Sequence, residues 1–267
     1  MAGKSNKTDS WTSGNPYERF MGRWSILVAR KFLEWLAVPP DRRWLDVGCG
    51  TGSLTKQILE LSQPVDILSI DSSLDFISYA HQTITDPAVR FDVGNVFALD
   101  IDSSSIDAVV SGLMLNFVPQ HEEAIREMLR VTRPGGAIGI FLWDYAGRME
   151  MLRYFWDAAV ELFPAAKKLD EGARFLLCRE GALEALVLDS GVHQVEARAI
   201  DVPTVFQDFD DYWTPFLGHV GPAPTFVMGL SKQDRSRLQN KLRESLTIND
   251  DGTISLVARA WAVKGLA

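Results

Sequence analysis

The stretch "WLDVGCGTGSLT" (44–55) sets three glycines, Gly48, Gly50 and Gly52, within five positions, just after an acid, Asp46. Glycine permits positive φ and lets a ligand approach bare backbone. A helix that follows such a loop offers free N–H groups to an anion. Those glycines therefore read as a floor for a ligand. Their spacing is G-x-G-x-G, with Ser53 where the third glycine of the nicotinamide-type G-x-G-x-x-G would fall. A second acid, Asp71, ends the next apolar run, at roughly the separation at which a carboxylate holds ribose hydroxyls. Such a carboxylate can accept from two vicinal hydroxyls, each charge-assisted bond being worth ~1.5–3 kcal/mol.

These residues need elements to hold them. "RRWLDVG" (42–48) reads as a buried strand, and Thr51 to Leu61 as a helix. "VDILSID" (65–71), "VRFDVGNV" (89–96), "IDAVVSGLML" (106–115) and "AIGIFLW" (137–143) read as further strands. Helical patterns lie between them at 73–84 and 122–136, the second stopped by Pro134-Gly135-Gly136. Strands alternating with helices give a parallel sheet covered on both faces, with right-handed crossovers. Ligands then bind beyond the carboxyl ends of the strands, where these glycines lie. Before the first strand, residues 1–15 read as a tail, and "YERFMGRWSILVARKFLEWLAV" as one or two helices closed by Pro39 and Pro40. Later, 148–190 and 206–247 read as helical, the second interrupted by "GPAP" at 221–224. Residues 192–205 and the alternating 252–265 read as strands.

The chain has 267 residues, 46% hydrophobic and 23% charged, an ordinary globular balance. Its net charge of -8 argues against a nucleic-acid binder. No apolar run is long enough to span a bilayer, so no membrane role is expected. The polar N-terminus lacks the apolar stretch of a signal peptide. Two cysteines, Cys49 and Cys178, make neither a disulfide framework nor a metal site. A cytoplasmic enzyme acting on a small molecule, without a metal, is the expectation.

"LDVGCGTG", then "IDSS", "VGNV", "IDAVVSGLMLNFV" and "RVTRPGG", resembles a class I S-adenosylmethionine-dependent methyltransferase. The nearest style is the bacterial methyltransferase type 11 group, similar to ubiquinone and menaquinone C-methyltransferases. The resemblance covers about 16–145. It implies an α/β fold: a Rossmann-like, doubly wound, mostly parallel seven-stranded sheet with an antiparallel last strand, plus a helical lid. Residues 16–145 would be the cofactor-binding core with its N-terminal cap helix, 146–250 the mostly helical substrate lid around strand six, and 251–267 the final strand. The cofactor would be S-adenosyl-L-methionine, leaving as S-adenosyl-L-homocysteine. Gly48, Cys49 and Gly50 would approach its methionyl and ribose portions. Asp46 would hold the loop and face the methionyl amino group, and Asp71 would bind the ribose hydroxyls with Ser72 beside the adenine. Where the family often has Gly-Asp-Ala, this chain has Gly94, Asn95 and Val96, and the asparagine carbonyl can still accept from the adenine amino group. Ser111 would lie near the methionyl group. Arg23 would reach the methionyl carboxylate and Tyr17 would cover that end of the site.

Methyl transfer from a sulfonium needs alignment and desolvation more than a catalytic residue. A general base is required only where the acceptor loses a proton during attack. Asp144, flanked by Trp143 and Tyr145 after the fifth strand, and His219, in "FLGHVGPAP", are the candidates. His81 and His121 read as structural. Trp156, Phe163, Phe175, Phe206, Tyr212, Trp213, Phe216 and Phe226 supply aromatic bodies to the second half, most of them for the core and a few for an apolar pocket suited to an aromatic or quinone-like acceptor. A nicotinamide-dependent oxidoreductase and a non-catalytic cofactor-binding protein on the same scaffold are the rival readings.

Overall fold

The computed structural model describes residues 18–218 and 221–267. The expected tail, Tyr17 and His219 lie outside the described residues. Seven strands form one sheet: β1 (Arg43–Val47), β2 (Asp66–Asp71), β3 (Val89–Val93), β4 (Ile106–Gly112), β5 (Thr132–Trp143), β6 (His193–Phe206) and β7 (Ile254–Leu266). The described helices of five residues or more are α1 (Arg23–Leu36), α2 (Ser53–Leu61), α3 (Leu74–Thr83), α4 (His121–Val131), α5 (Glu150–Leu162), α6 (Ala182–Asp189), α7 (Phe209–Trp213), α8 (Pro222–Gly229) and α9 (Lys232–Ser245), apart from short turns and a π-helical turn at Glu18–Gly22 that leads into α1.

The strand order is β3-β2-β1-β4-β5-β7-β6. β1 to β5 pair in parallel, and β7 runs antiparallel between β5 and β6. The chain winds outward from β1 in one direction and from β4 in the other, which opens a crevice at their carboxyl ends. Both strands are covered on two faces, so Leu45, Val47, Ala108, Val109 and Val110 are all buried. α1 lays Val28, Ala29, Phe32 and Leu33 on the sheet. The ring of Phe32 fills the space beside Gly139, where a Cβ would come within 2.6 Å of it. One continuous core joins α1, the sheet and the helices of the second half. Ile254, Leu256, Ala258, Ala260 and Ala262 are all buried on β7, the face that the alternation predicts.

Two boundaries differ from the sequence expectation. "TRPGG" does not end α4; it opens β5, which starts at Thr132. The β4–β5 register shifts between Ile106 and Ala108, so this stretch is an irregular entry to the strand, with Gly135 at φ +73. Proline, lacking an N–H, is tolerated at such a break in the ladder. "GPAP" does not interrupt a helix either; Pro222 begins α8. Its fixed φ suits the first helical turn, where its missing N–H has no partner to lose.

Among the described residues, no helix is long and apolar enough to cross a membrane, and no three His, Cys, Asp or Glu side chains gather as metal ligands.

Candidate functional site

β1 and β2 deliver Asp46 and Asp71 to the same end of the sheet. The loop after β1 folds onto the end of β2: Gly48 N and Cys49 N both donate to Ile70 O, at 2.8 and 2.9 Å. Gly50 N donates to Asp71 Oδ2 at 2.9 Å, and Ser73 N donates to Asp71 Oδ1 at 2.8 Å. One carboxylate thus ties the glycine loop to the start of α3. Glycine is required at 48 for two reasons. Its φ is +74, and an added Cβ would lie 2.3 Å from Met114 Cγ. At Gly50, with φ +54, an added Cβ would meet nothing within 4 Å. That backbone is open to the cleft.

The cleft has a volume of about 560 Å³. One side is built from Asp46, the glycine loop, Asp71, Ser72 and the Gly94–Val96 turn. The other side carries Leu113, Met114, Phe117, Phe141, Trp143 and Tyr145, with Met21, Ser25 and Ala29 from the N-terminal segment. Leu113 sits at φ +61 and donates its N–H to Phe141 O at 2.8 Å. A left-handed leucine costs roughly 1–2 kcal/mol, and such outliers gather at binding sites. Glu18 accepts from Thr51 Oγ1, which ties the N-terminal turn to the glycine loop.

Asp46 is fully buried. Its Oδ2 accepts from Thr55 Oγ1 at 2.7 Å, and its Oδ1 has no partner. Burial pushes its pKa up to about 7, the charge of Asp71 adds to the rise, and the Thr55 hydrogen bond opposes it. Asp71 is also raised by burial, against the pull of the Ser73, Gly50 and Ser72 amides. Burial and the two acids lift the Cys49 thiol well above its usual value, so it is a neutral wall and not a nucleophile. Among the described residues lining the cleft, the charged ones are Asp46 and Asp71.

Of the residues expected from the sequence, Asp46, Gly48, Cys49, Gly50, Asp71, Ser72, Gly94, Asn95 and Val96 line this one cleft. Asn95 Oδ1 accepts from Phe97 N at 3.0 Å, which shapes the turn and leaves that oxygen a second lone pair. Three others are not on the cleft wall. Ser111 is buried and donates to Val47 O at 2.8 Å, bracing the end of β1 from β4. Arg23 is paired with Asp211 on α7 at 2.9 Å and stacks on Trp24 and Phe206. Asp144 is buried, its two oxygens accepting from Gly147 N and Arg148 N, both at 2.9 Å. It shapes the loop into α5 and is a loop former here; only its neighbours Trp143 and Tyr145 reach the cleft.

The second-half aromatics are core. Phe155 and Phe216 stack at 4.5 Å, and Trp156, Phe206, Tyr212 and Phe226 pack around them. Phe175 backs Phe117 and Tyr145 at 5.2 and 5.6 Å without lining the cleft itself. The cleft's own aromatic wall comes instead from the ends of the sheet and the loop after β4. Phe141 was legible only as a strand residue and Phe117 only as part of the stretch after the fourth strand, although both sit near the carboxyl edge of the sheet. His121 begins α4, and burial lowers its pKa.

Residues 45–140 match the family model described as a methyltransferase domain. The demethylmenaquinone methyltransferase of Renibacterium salmoninarum is 32% identical over 116 residues, 43% of this chain and 46% of that protein. An uncharacterized 37.1 kDa protein of transposon TN4556 from Streptomyces fradiae is 31% identical over 185 residues, 66% of this chain and 50% of that protein. The chain thus spans about half the length of these relatives. Among solved structures, phosphoethanolamine N-methyltransferase 2 of Haemonchus contortus, in complex with S-adenosyl-L-methionine, aligns with a TM-score of 0.59 at 14% identity, covering 94% of this chain and 57% of that one. The sheet order, the glycine loop after β1 and these matches agree: residues 45–140 match a methyltransferase domain, and the chain has the fold of the class I S-adenosylmethionine-dependent methyltransferases.

Proposed function

We propose that the chain transfers a methyl group from S-adenosylmethionine to a small, apolar, aromatic acceptor. The observation that carries this is one cleft whose lining joins a glycine loop and two acids from β1 and β2 to aromatic side chains at the ends of β4 and β5. The glycine loop and the acids fit the cofactor. Asp46 holds a carboxylate oxygen with no protein partner, a match for an ammonium group. Asp71 keeps lone pairs beyond those its two amides use, for the ribose hydroxyls. Ser72, Asn95 and Val96 form the adenine end, and the open backbone at Gly50 admits close approach.

Bound there, S-adenosylmethionine supplies an electrophilic methyl on a sulfonium that leaves readily. The chain's own work is alignment and exclusion of water. Phe117, Phe141, Trp143 and Tyr145 make a wall against which a flat apolar acceptor can pack. Holding two reactants in near-attack geometry is worth ~7–11 kcal/mol. Both cysteines are unpaired and buried, which supports a reducing, cytoplasmic setting. The test is calorimetric titration with S-adenosylmethionine, S-adenosylhomocysteine and NADH, followed by labelled-methyl transfer to a panel of phenols, quinols and aromatic amines. Binding of the first two ligands and label in an aromatic acceptor is the expected result. NADH binding alone would overturn the reading.

A further inference from the structure

We propose that Thr55 and Ser69 are positioning residues for the cofactor: a relay of two hydroxyls that seats Asp46 Oδ2 and leaves Oδ1 to the ligand's cation. The inference rests on the cofactor reading above. Thr55 Oγ1 donates to Asp46 Oδ2 at 2.7 Å and lies 2.8 Å from Ser69 Oγ. A hydroxyl carries one proton. With that of Thr55 given to Asp46, the bond between the hydroxyls is donated by Ser69. With Asp46 ionised, the direction is Ser69 to Thr55 to Asp46.

All three residues are fully buried, and each comes from a different element. Asp46 and Ser69 are register partners across β1 and β2, while Thr55 reaches them from the first turn of α2. The helix after the glycine loop is therefore hydrogen-bonded to the two strands that deliver the acids. Asp46 lines the cleft, yet Oδ1 has no protein partner. A buried acceptor in that state is destabilising, and on a residue that lines a cleft it is an acceptor that a ligand's cation would satisfy.

The other titratable groups facing Asp46 are Asp71 at the end of β2 and the Cys49 thiol on the loop. From β4, the register partner is Val110, which carries no charge. Burial and Asp71 favour the neutral acid; the hydroxyl relay favours the carboxylate. Removing the relay must then move the pH at which Asp46 becomes able to take a cation. Loss of mere packing would weaken binding equally at every pH.

The experiment is titration of the full chain with S-adenosylhomocysteine between pH 5.5 and 8.5, for the wild type and Thr55→Val, Thr55→Ser and Ser69→Ala, with thermal unfolding at each pH. The wild type should bind more weakly as pH falls through neutrality. Thr55→Val should move that midpoint up by about one pH unit, making binding about fivefold weaker at pH 7 and about tenfold weaker well below it, and should converge on the wild type at high pH. Thr55→Ser should restore the wild-type profile, and Ser69→Ala should show a smaller upward shift. A folded Thr55→Val whose profile superposes on the wild type, or lies below it by a constant factor, would overturn the relay. Absence of binding by folded wild type would overturn the cofactor reading instead, and the relay with it.

Discussion

Gly50 gives its amide to Asp71 at 2.9 Å, so the glycine loop after β1 and the acid that ends β2 are one hydrogen-bonded unit. Asp71 is held by the second amide as well, from Ser73. Its orientation is therefore set before any ligand arrives, which lowers the ordering cost of binding. Replacing Asp71 by Ala should weaken S-adenosylhomocysteine binding roughly ten- to a hundredfold, the equivalent of about 1.5–3 kcal/mol for charge-assisted bonds. Calorimetric titration measures it; unchanged affinity would remove Asp71 from the site.

Gly48 and Gly50 should separate stability from binding. At Gly48 an alanine meets Met114 Cγ at 2.3 Å as well as an unfavourable φ of +74, so Gly48→Ala should lose about 2–4 kcal/mol of stability. Gly50→Ala has only the backbone strain, about 1–2 kcal/mol, because its Cβ meets nothing. That Cβ instead occupies the cleft, so binding of S-adenosylhomocysteine should fall more than tenfold. Denaturant unfolding and titration on both variants test the split.

Glu171 lies buried and accepts from Trp156 Nε1. Burial pushes its pKa up from 4.5 to about 8. The folded protein therefore binds its proton more tightly than the unfolded chain does. The stability this gives is complete below about pH 4.5 and is lost as pH rises through about 8. Glu171→Gln keeps an acceptor for Trp156 and removes the titration. Relative to the wild type, it should gain about 1–3 kcal/mol between pH 6 and pH 9. Thermal melts across that range decide it, and a constant difference between the two proteins would contradict it.

Arg23 and Asp144 were candidates for cofactor and proton chemistry, and their partners in the fold give them other work. Arg23→Ala breaks a half-exposed pair with Asp211, worth at most about 1 kcal/mol, together with its stacking on Trp24 and Phe206. It should leave S-adenosylhomocysteine affinity within about twofold. Asp144→Ala frees the amides of Gly147 and Arg148 and should lower stability by about 1–3 kcal/mol, with affinity little changed. A tenfold loss of binding in either folded variant would return that residue to the site.

The glycine loop, the two acids and the strand–helix alternation were legible because they are local. A positive φ selects glycine at its own position, and an apolar run of five or six residues declares a buried strand without knowing its neighbours. The carboxyl-edge rule then places Asp46, Asp71 and Asn95 together. Local pattern also explains the two misplaced boundaries, since Pro134 and Pro222 break a helix in one context and open a strand or begin a helix in another. What only the tertiary structure decided is partnership. Arg23 meets an acid 188 residues away, and the aromatics of the second half meet one another instead of the cleft. A side chain's partner depends on which distant element packs against it, and spacing along the chain does not carry that. The orphaned oxygen of Asp46 is of the same kind: the sequence determines the acid, and only the packing of Thr55, backed by Ser69, decides which of its oxygens is left without a protein partner.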